Sequence, residues 1–122
     1  MARILVVEDD VNVARLLLTF LENKDHHVTV IGAGPAAVSE ALQNPPDLIL
    51  LDIAIPAMSG IEVCQRLRKV PDTALTPIII LSAHPTEENR ERAINAGADR
   101  FVAKPFSLAR LAETMDALLL PN

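Results

Sequence analysis

Six residues of this chain carry polar chemistry at comparable positions, each just beyond an apolar run. Arg3-Ile4-Leu5-Val6-Val7 leads into Glu8-Asp9-Asp10, Leu48-Ile49-Leu50-Leu51 into Asp52, Pro77-Ile78-Ile79-Ile80-Leu81 into Ser82, and Phe101-Val102-Ala103 into Lys104. Short apolar runs bounded by turn residues read as strands covered on both faces, so each delivers a functional group to a strand end. An ionised Asp52 in that position escapes the cost of burial only by emerging at the sheet edge or by finding cations. Carboxylates gathered at one edge repel one another, and something positive must offset them. Lys104 offers one charge and a divalent cation two. Oxygen-only donors suit Mg²⁺ or Mn²⁺, and Mg²⁺ takes one or two carboxylates, keeps waters and completes its shell with phosphate oxygen. The set suits metal-assisted phosphoryl chemistry, with Asp52 as nucleophile, the metal and Lys104 neutralising the transferring group, and the Ser82 hydroxyl donating to one of its oxygens.

The elements that must hold these groups follow from the hydrophobic pattern. Residues 3–8 read as a first strand, and Asp9 or Asp10 can cap the helix behind it, where Val13, Leu16, Leu17, Phe20 and Leu21 recur at helical spacing. A polar turn leads to a half-apolar strand, His27-Val28-Thr29-Val30-Ile31. Gly32-Ala33-Gly34-Pro35 opens a second helix, with Pro35 suited to its first position and Val38, Ala41 and Leu42 as its stripe. Ser59 and Glu62 have the spacing of a capping box, which turns Ile61, Cys64 and Leu67 inward from a third helix. After the long connection Val70 to Thr76 and the Pro77 strand, Thr86 is suited to cap a helix from Glu87 to Ala96 whose only apolar residues are Ala93, Ile94 and Ala96. That helix is the weakest in the chain. Gly97 ends it, and beyond the fifth strand Ser107 caps a last helix striped by Leu108, Leu111, Ala112, Met115, Leu118 and Leu119, followed by a short Pro121-Asn122 tail. Five strands alternating with five helices predict a doubly wound α/β fold, because parallel strands need crossover connections. Ligands of such folds bind beyond the carboxyl ends of the strands, so Glu8, Asp9, Asp10, Asp52, Ser82 and Lys104 should converge on one crevice.

Composition narrows the function further. The 122 residues are half hydrophobic and 22% charged, which describes one domain, residues 1–122, of ordinary globular type. A net charge of -5 argues against a nucleic-acid-binding surface. The single cysteine, Cys64, lies between Val63 and Leu67 and reads as a small buried residue rather than a reactive thiol. With no signal-peptide core at the N-terminus and no run near the ~20 residues of a membrane span, a soluble, cytoplasmic chain without membrane contact is expected. His26, His27 and His84 are too scattered for a metal site; the first two read as surface residues, and His84 is near enough to Ser82 to touch the site.

Val7-Glu8-Asp9-Asp10, Leu51-Asp52-Ile53-Ala54-Ile55-Pro56, Gly60, Leu81-Ser82-Ala83, Gly97-Ala98-Asp99 and Lys104-Pro105-Phe106 follow one another at characteristic intervals. Together they resemble the receiver domain of bacterial response regulators, over essentially the whole chain. The resemblance implies a flavodoxin-like, five-stranded parallel sheet in the order 2-1-3-4-5. It implies that Asp52 accepts a phosphoryl group from a histidine kinase or phosphotransfer protein. Asp9, Asp52 and the carbonyl of Ala54 would bind Mg²⁺, with Mn²⁺ as a substitute, and Glu8 would act through a metal-bound water. Ser82, the backbone amide of Ala83 and Lys104 would stabilise the phosphoryl group, and the Lys104-Pro105 bond would be cis. Phe101 is either core filling or the rotating aromatic switch that the family has at this position. The fourth helix, fifth strand and last helix would present the switched surface to a downstream protein or output domain. Such a domain catalyses only its own phosphorylation and dephosphorylation and is not otherwise an enzyme.

Three positions depart from the family pattern. Ile55 stands where Met is frequent, a volume-conserving change. Ala54, two residues beyond Asp52, gives an attacking water neither a guide nor a barrier. Arg100 replaces an acid common after Asp99, which weighs against dimerisation through the charge-paired face of one transcription-factor subgroup. Other functions lack their residues here. An aspartyl-nucleophile phosphohydrolase carries a second acid where this chain has Ala54. A flavin or nucleotide carrier needs a phosphate-cradling loop after the first strand, where Glu8-Asp9-Asp10 repels phosphate unless a metal intervenes. A degenerate receiver acting only as a binding module would be missing acceptor-site residues that this chain retains.

Overall fold

The five apolar runs, each too short for a stable helix and bounded by Pro, Gly or Asx turns, form five strands in a computed structural model that describes residues 1–120. They are β1 (Arg3–Val7), β2 (His27–Ile31), β3 (Leu48–Asp52), β4 (Ile78–Ser82) and β5 (Arg100–Ala103). Between and after them run α1 (Val11–Glu22), α2 (Gly34–Gln43), α3 (Gly60–Arg68), α4 (Glu87–Asn95) and α5 (Leu108–Leu119). The Pro121-Asn122 tail lies outside the described residues. Every strand pair is parallel and the order is β2-β1-β3-β4-β5, as the sequence led us to expect.

Strand periodicity divides the core into two layers. Val7, Leu51, Ile80 and Phe101 are in register and share one face, where they meet Ala37 and Ala41 of α2, Ile61, Cys64 and Leu67 of α3, and Ala93 of α4. Val6, Leu50 and Ile79 share the other face with Leu17 and Leu21 of α1 and Leu111 and Met115 of α5. The central β3 and β4 are buried along their whole length.

Two residues of the expected inward stripes, Leu16 and Leu42, do not face inward, and neither does the apolar Ile94. Leu16, Leu42 and Ile94 are 50%, 38% and 48% exposed. Each lies one residue, about 100° of helix, from the side chain that does face the sheet: Leu17, Ala41 and Ala93. In α2 and α4 the inward residues are alanines, which let the helix close on the sheet and turn its larger neighbour outward.

Asp10, not Asp9, caps α1, its carboxylate accepting the Asn12 amide at 2.9 Å and the Val13 amide at 3.2 Å. The hydroxyls of Ser59, Thr86 and Ser107 accept the amides of Glu62, Asn89 and Arg110 at the starts of α3, α4 and α5. The box at Ser59 is only half made, because the Glu62 carboxylate turns to the Arg66 guanidinium at 2.9 Å. Among the described residues, no helix is long and apolar enough to cross a membrane.

Candidate functional site

Connections from β1 go first to β2 on one side, while β3 pairs with β1 on the other, so a crevice opens beyond the ends of β1 and β3. Register brings the polar groups to it. Glu8 follows Val7, the partner of Leu51, and so lies beside Asp52; Ser82 follows Leu81, the partner of Asp52; the Lys104 amide donates to the Ser82 carbonyl at 2.8 Å. Gly60 is required where α3 abuts the end of β3, because a Cβ there would collide with the Asp52 carbonyl.

Lys104 is the cation that joins the group. Its ammonium donates to Glu8 Oε1 at 2.7 Å and to Asp52 Oδ2 at 2.9 Å. The free oxygens are held by backbone: the Ala54 amide donates to Asp52 Oδ1 at 3.1 Å, and the Asp10 amide to Glu8 Oε2 at 3.3 Å. Glu8 and Asp52 are buried and Asp9 is exposed, yet each contributes a carboxylate oxygen to a set within 4.8 Å of one another. Burial, followed by hydrogen bonding and charge repulsion with Asp52, pushes the Glu8 pKa up to about 7 against the pull of Lys104. Burial works to lower the Lys104 pKa, but its bonds to Asp52 and Glu8 outweigh that and hold the ammonium above its ordinary value. Three hard oxygen donors, one open to solvent, fit a small divalent cation that keeps part of its water shell.

The other residues singled out in the sequence take varied places in the fold. Ser82 is fully buried, and its Oγ accepts the His84 amide at 3.0 Å, a bond that leaves the hydroxyl proton to donate. His84 reaches the site through its backbone, and His26 has an assigned structural task, its Nδ1 accepting the Ala2 amide at 3.2 Å. Phe101 is only 8% exposed, packed inward on the face that Ser82 shares by strand alternation, with the Arg90 guanidinium 5.1 Å from its ring centre. The Lys104-Pro105 bond is cis. Cys64 is buried, with its thiol against the Ala96 carbonyl at 3.4 Å and its pKa pushed by burial up to about 11, so it is an unreactive core residue.

Two features went unread in the sequence. Lys104 serves Glu8 as closely as Asp52, a pairing across 96 residues that only the sheet creates. Beside it lies an apolar cleft of about 360 Å³, lined by Val13, Leu16, Ala83, Lys104, Pro105 and Phe106. The signal for that cleft was the surplus of apolar residues in α1, more than one face can bury, which leaves Val11 and Leu16 outside.

Comparison with known proteins gives the same reading. A family model for the response regulator receiver domain matches residues 4–116. The chain is 41% identical over 117 residues to the phosphate regulon transcriptional regulatory protein PhoB of Rhizobium meliloti, covering 96% of this chain and 52% of that protein. It is 38% identical over 117 residues to the transcriptional regulatory protein ResD of Bacillus subtilis, covering 96% of this chain and 48% of that protein. The chain thus spans about half the length of the curated relatives it matches. Its fold superposes on the chemotaxis protein CheY4 of Vibrio cholerae with a TM-score of 0.92 at 26% identity, covering 98% of this chain and 99% of that one. The receiver domain of sensor histidine kinase PA1611 from Pseudomonas aeruginosa, which has a magnesium ion coordinated in its active-site cleft, matches with a TM-score of 0.91 at 29% identity over 97% of each chain. On the family match, the relatives and the fold together, this chain belongs to the response regulator receiver domains of two-component signalling.

Proposed function

We propose that residues 1–122 act as one receiver domain in which Asp52 accepts a phosphoryl group from a histidine kinase or phosphotransfer protein. The observation that carries this is the buried Asp52 carboxylate at the end of β3, 2.9 Å from the Lys104 ammonium and grouped with the Glu8 and Asp9 oxygens. An Asp52 oxygen attacks phosphorus, the phosphorus–nitrogen bond of the donor breaks, and the histidine ring leaves with that electron pair. Lys104, already at Asp52, follows the negative charge onto the phosphoryl oxygens, and the Ser82 hydroxyl and the Ala83 amide donate to them. Asp9, Asp52 and the Ala54 carbonyl would hold Mg²⁺, or Mn²⁺ in its place, with Glu8 behind a bound water; the ion supplies charge neutralisation and in-line alignment. The magnesium reported in the PA1611 receiver domain supports this assignment.

The donor protein must bring its phosphohistidine to this edge, and the apolar cleft formed by Val13, Leu16 and Phe106 beside Lys104 suits it as a docking face. The domain acts only on its own acceptor. Its phosphorylation state is read by a downstream protein or output domain at the α4–β5–α5 surface. A cytoplasmic setting accords with the free Cys64 thiol.

The test is phosphorylation by acetyl phosphate and Mg²⁺, read by intact mass. One hydroxylamine-labile phosphoryl group is expected on the wild type and on Asp10→Asn, which keeps a good helix cap. Equal labelling of Asp52→Asn would refute the acceptor assignment.

A further inference from the structure

A wide concavity lies apart from the acidic cluster, since none of Glu8, Asp9, Asp52, Ser82 and Lys104 lines it. It is an open groove of about 930 Å³ running over α3 between α2 and α4. Its apolar floor is made by Val38, Leu42, Ile61 and Val70, of which Leu42 is the most exposed of the floor's large side chains at 38%. Its rim is cationic. Arg66, Lys69 and Arg92 line it, and Glu62, its one acid, is already matched to Arg66 at 2.9 Å. The groove therefore has a net charge of +2 in a chain of net charge -5. The acids of α4, Glu87, Glu88 and Glu91, lie outside its lining. A positive, apolar-floored groove on an acidic protein selects for a negatively charged occupant with apolar anchors.

The walls decide the shape of that occupant. They are three helices and the turns at their ends, with no strand among them, so an extended peptide would find no sheet edge to pair with, while an amphipathic helix would find side chains at its own spacing. The volume matches about two turns of a helix ~10 Å across. We propose that the α2–α3–α4 groove docks an acidic amphipathic helix of a partner protein, its apolar stripe on Leu42 and Val70 and its carboxylates on Arg66, Lys69 and Arg92. This does not depend on Asp52 being the acceptor.

The probe is a synthetic helical peptide with leucines at i, i+3, i+4 and i+7 flanked by glutamates, titrated into isotope-labelled full chain and followed by NMR. Saturable shifts are expected at Val38, Leu42 and Val70, with no binding of the same peptide flanked by lysines. The combined Arg66→Glu, Lys69→Glu and Arg92→Glu variant, all three at exposed positions, should lose roughly tenfold in affinity. Leu42→Ser, with no charge change, should weaken binding independently. Absence of saturable shifts, shifts confined to other faces, equal binding of the lysine peptide, or unchanged affinity in both variants would overturn the proposal. Concentration-dependent self-association through these same residues would assign the groove to a second copy and overturn it equally.

Discussion

At the scale of single residues, one ammonium is set against three carboxylates. Lys104 balances Glu8 and Asp52 directly, and Asp9 adds a further negative charge nearby. Removing the cation and removing an anion should therefore have opposite signs. In metal-free buffer Lys104→Met is expected to cost roughly 2 kcal/mol, less than a fully buried pair because the side chain is partly exposed. Asp52→Ala relieves the crowding, keeps the Lys104–Glu8 pair, and should gain roughly 1 kcal/mol. Urea midpoints measure both. Glu8 adds a pH dependence. The fold holds its proton up to about 7, whereas the ordinary value is 4.5. Between these values the folded chain binds more protons than the unfolded one, so the Glu8 contribution to stability falls as pH rises through the window. The raised Lys104 pKa acts elsewhere: its contribution is complete below its ordinary 10.5 and is lost only as pH rises through the higher folded value. Metal-free wild type should lose stability from pH 4.5 to about 7, and Glu8→Gln should flatten that decline. An Mg²⁺ ion held by these carboxylates would compete with the same proton, so its stabilising effect should grow with pH over that range.

At the scale of elements, the segments around the site are joined by a side chain remote from it. Arg68, at the last turn of α3, donates to the carbonyls of Thr73, Ala74, Thr76 and Gly97, and to the Asp99 carboxylate at 3.0 Å. Asp99 in turn accepts the Ile78 amide at 2.8 Å. One guanidinium thus ties the end of α3, the connection to β4, and the α4–β5 turn, where Gly97 adopts a φ of 107° that a side chain would strain. Arg68→Met should cost roughly 2–4 kcal/mol by stranding several of these carbonyls and the Asp99 charge. Arg68→Lys should recover little, because a single ammonium cannot span the fork. Thermal or urea unfolding of the two variants separates lost charge from lost geometry.

At the scale of the whole molecule, the question is how charge at Asp52 reaches a surface. On the proposed function, phosphorylation of Asp52 would add roughly -1.5 to -2 charge next to Lys104 and Ser82. Drawing the Ser82 hydroxyl toward the phosphoryl group would break its bond to the His84 amide and free the loop that leads to α4. That helix is the least anchored, with Ala93 its one buried residue, and Arg90 links it to the Phe101 ring. A change from a 1:99 to a 99:1 population needs about 5.5 kcal/mol, more than one such hydrogen bond supplies, so a partial shift is expected before a partner binds. NMR with beryllofluoride as the phosphoryl mimic should show changes through residues 84–106 with exchange broadening in α4. Changes confined to the Asp52 pocket would eliminate the switch while leaving the acceptor chemistry intact.

The sequence by itself determined the elements and the inventory of the site. Strand period, cap residues and turn residues are local properties, so β1 to β5, the Ser59, Thr86 and Ser107 caps and the strand-end positions of Glu8, Asp52, Ser82 and Lys104 could be read directly. What only tertiary structure decided is which of several local options each residue took. Leu16, Leu42 and Ile94 satisfied helical periodicity but were turned out because their neighbours fitted closer to the sheet. Glu62 could have completed its capping box and instead paired with Arg66. Arg68 carried no motif, since its five partners are spread over a turn, a connection and a strand entry that meet only in the fold. Lys104 likewise acquired Glu8 from the far end of the chain, because the parallel register of β1, β3, β4 and β5 sets their ends side by side. Side-chain type and spacing are written residue by residue, whereas pair partners and exposure depend on distances between elements, which no local pattern specifies.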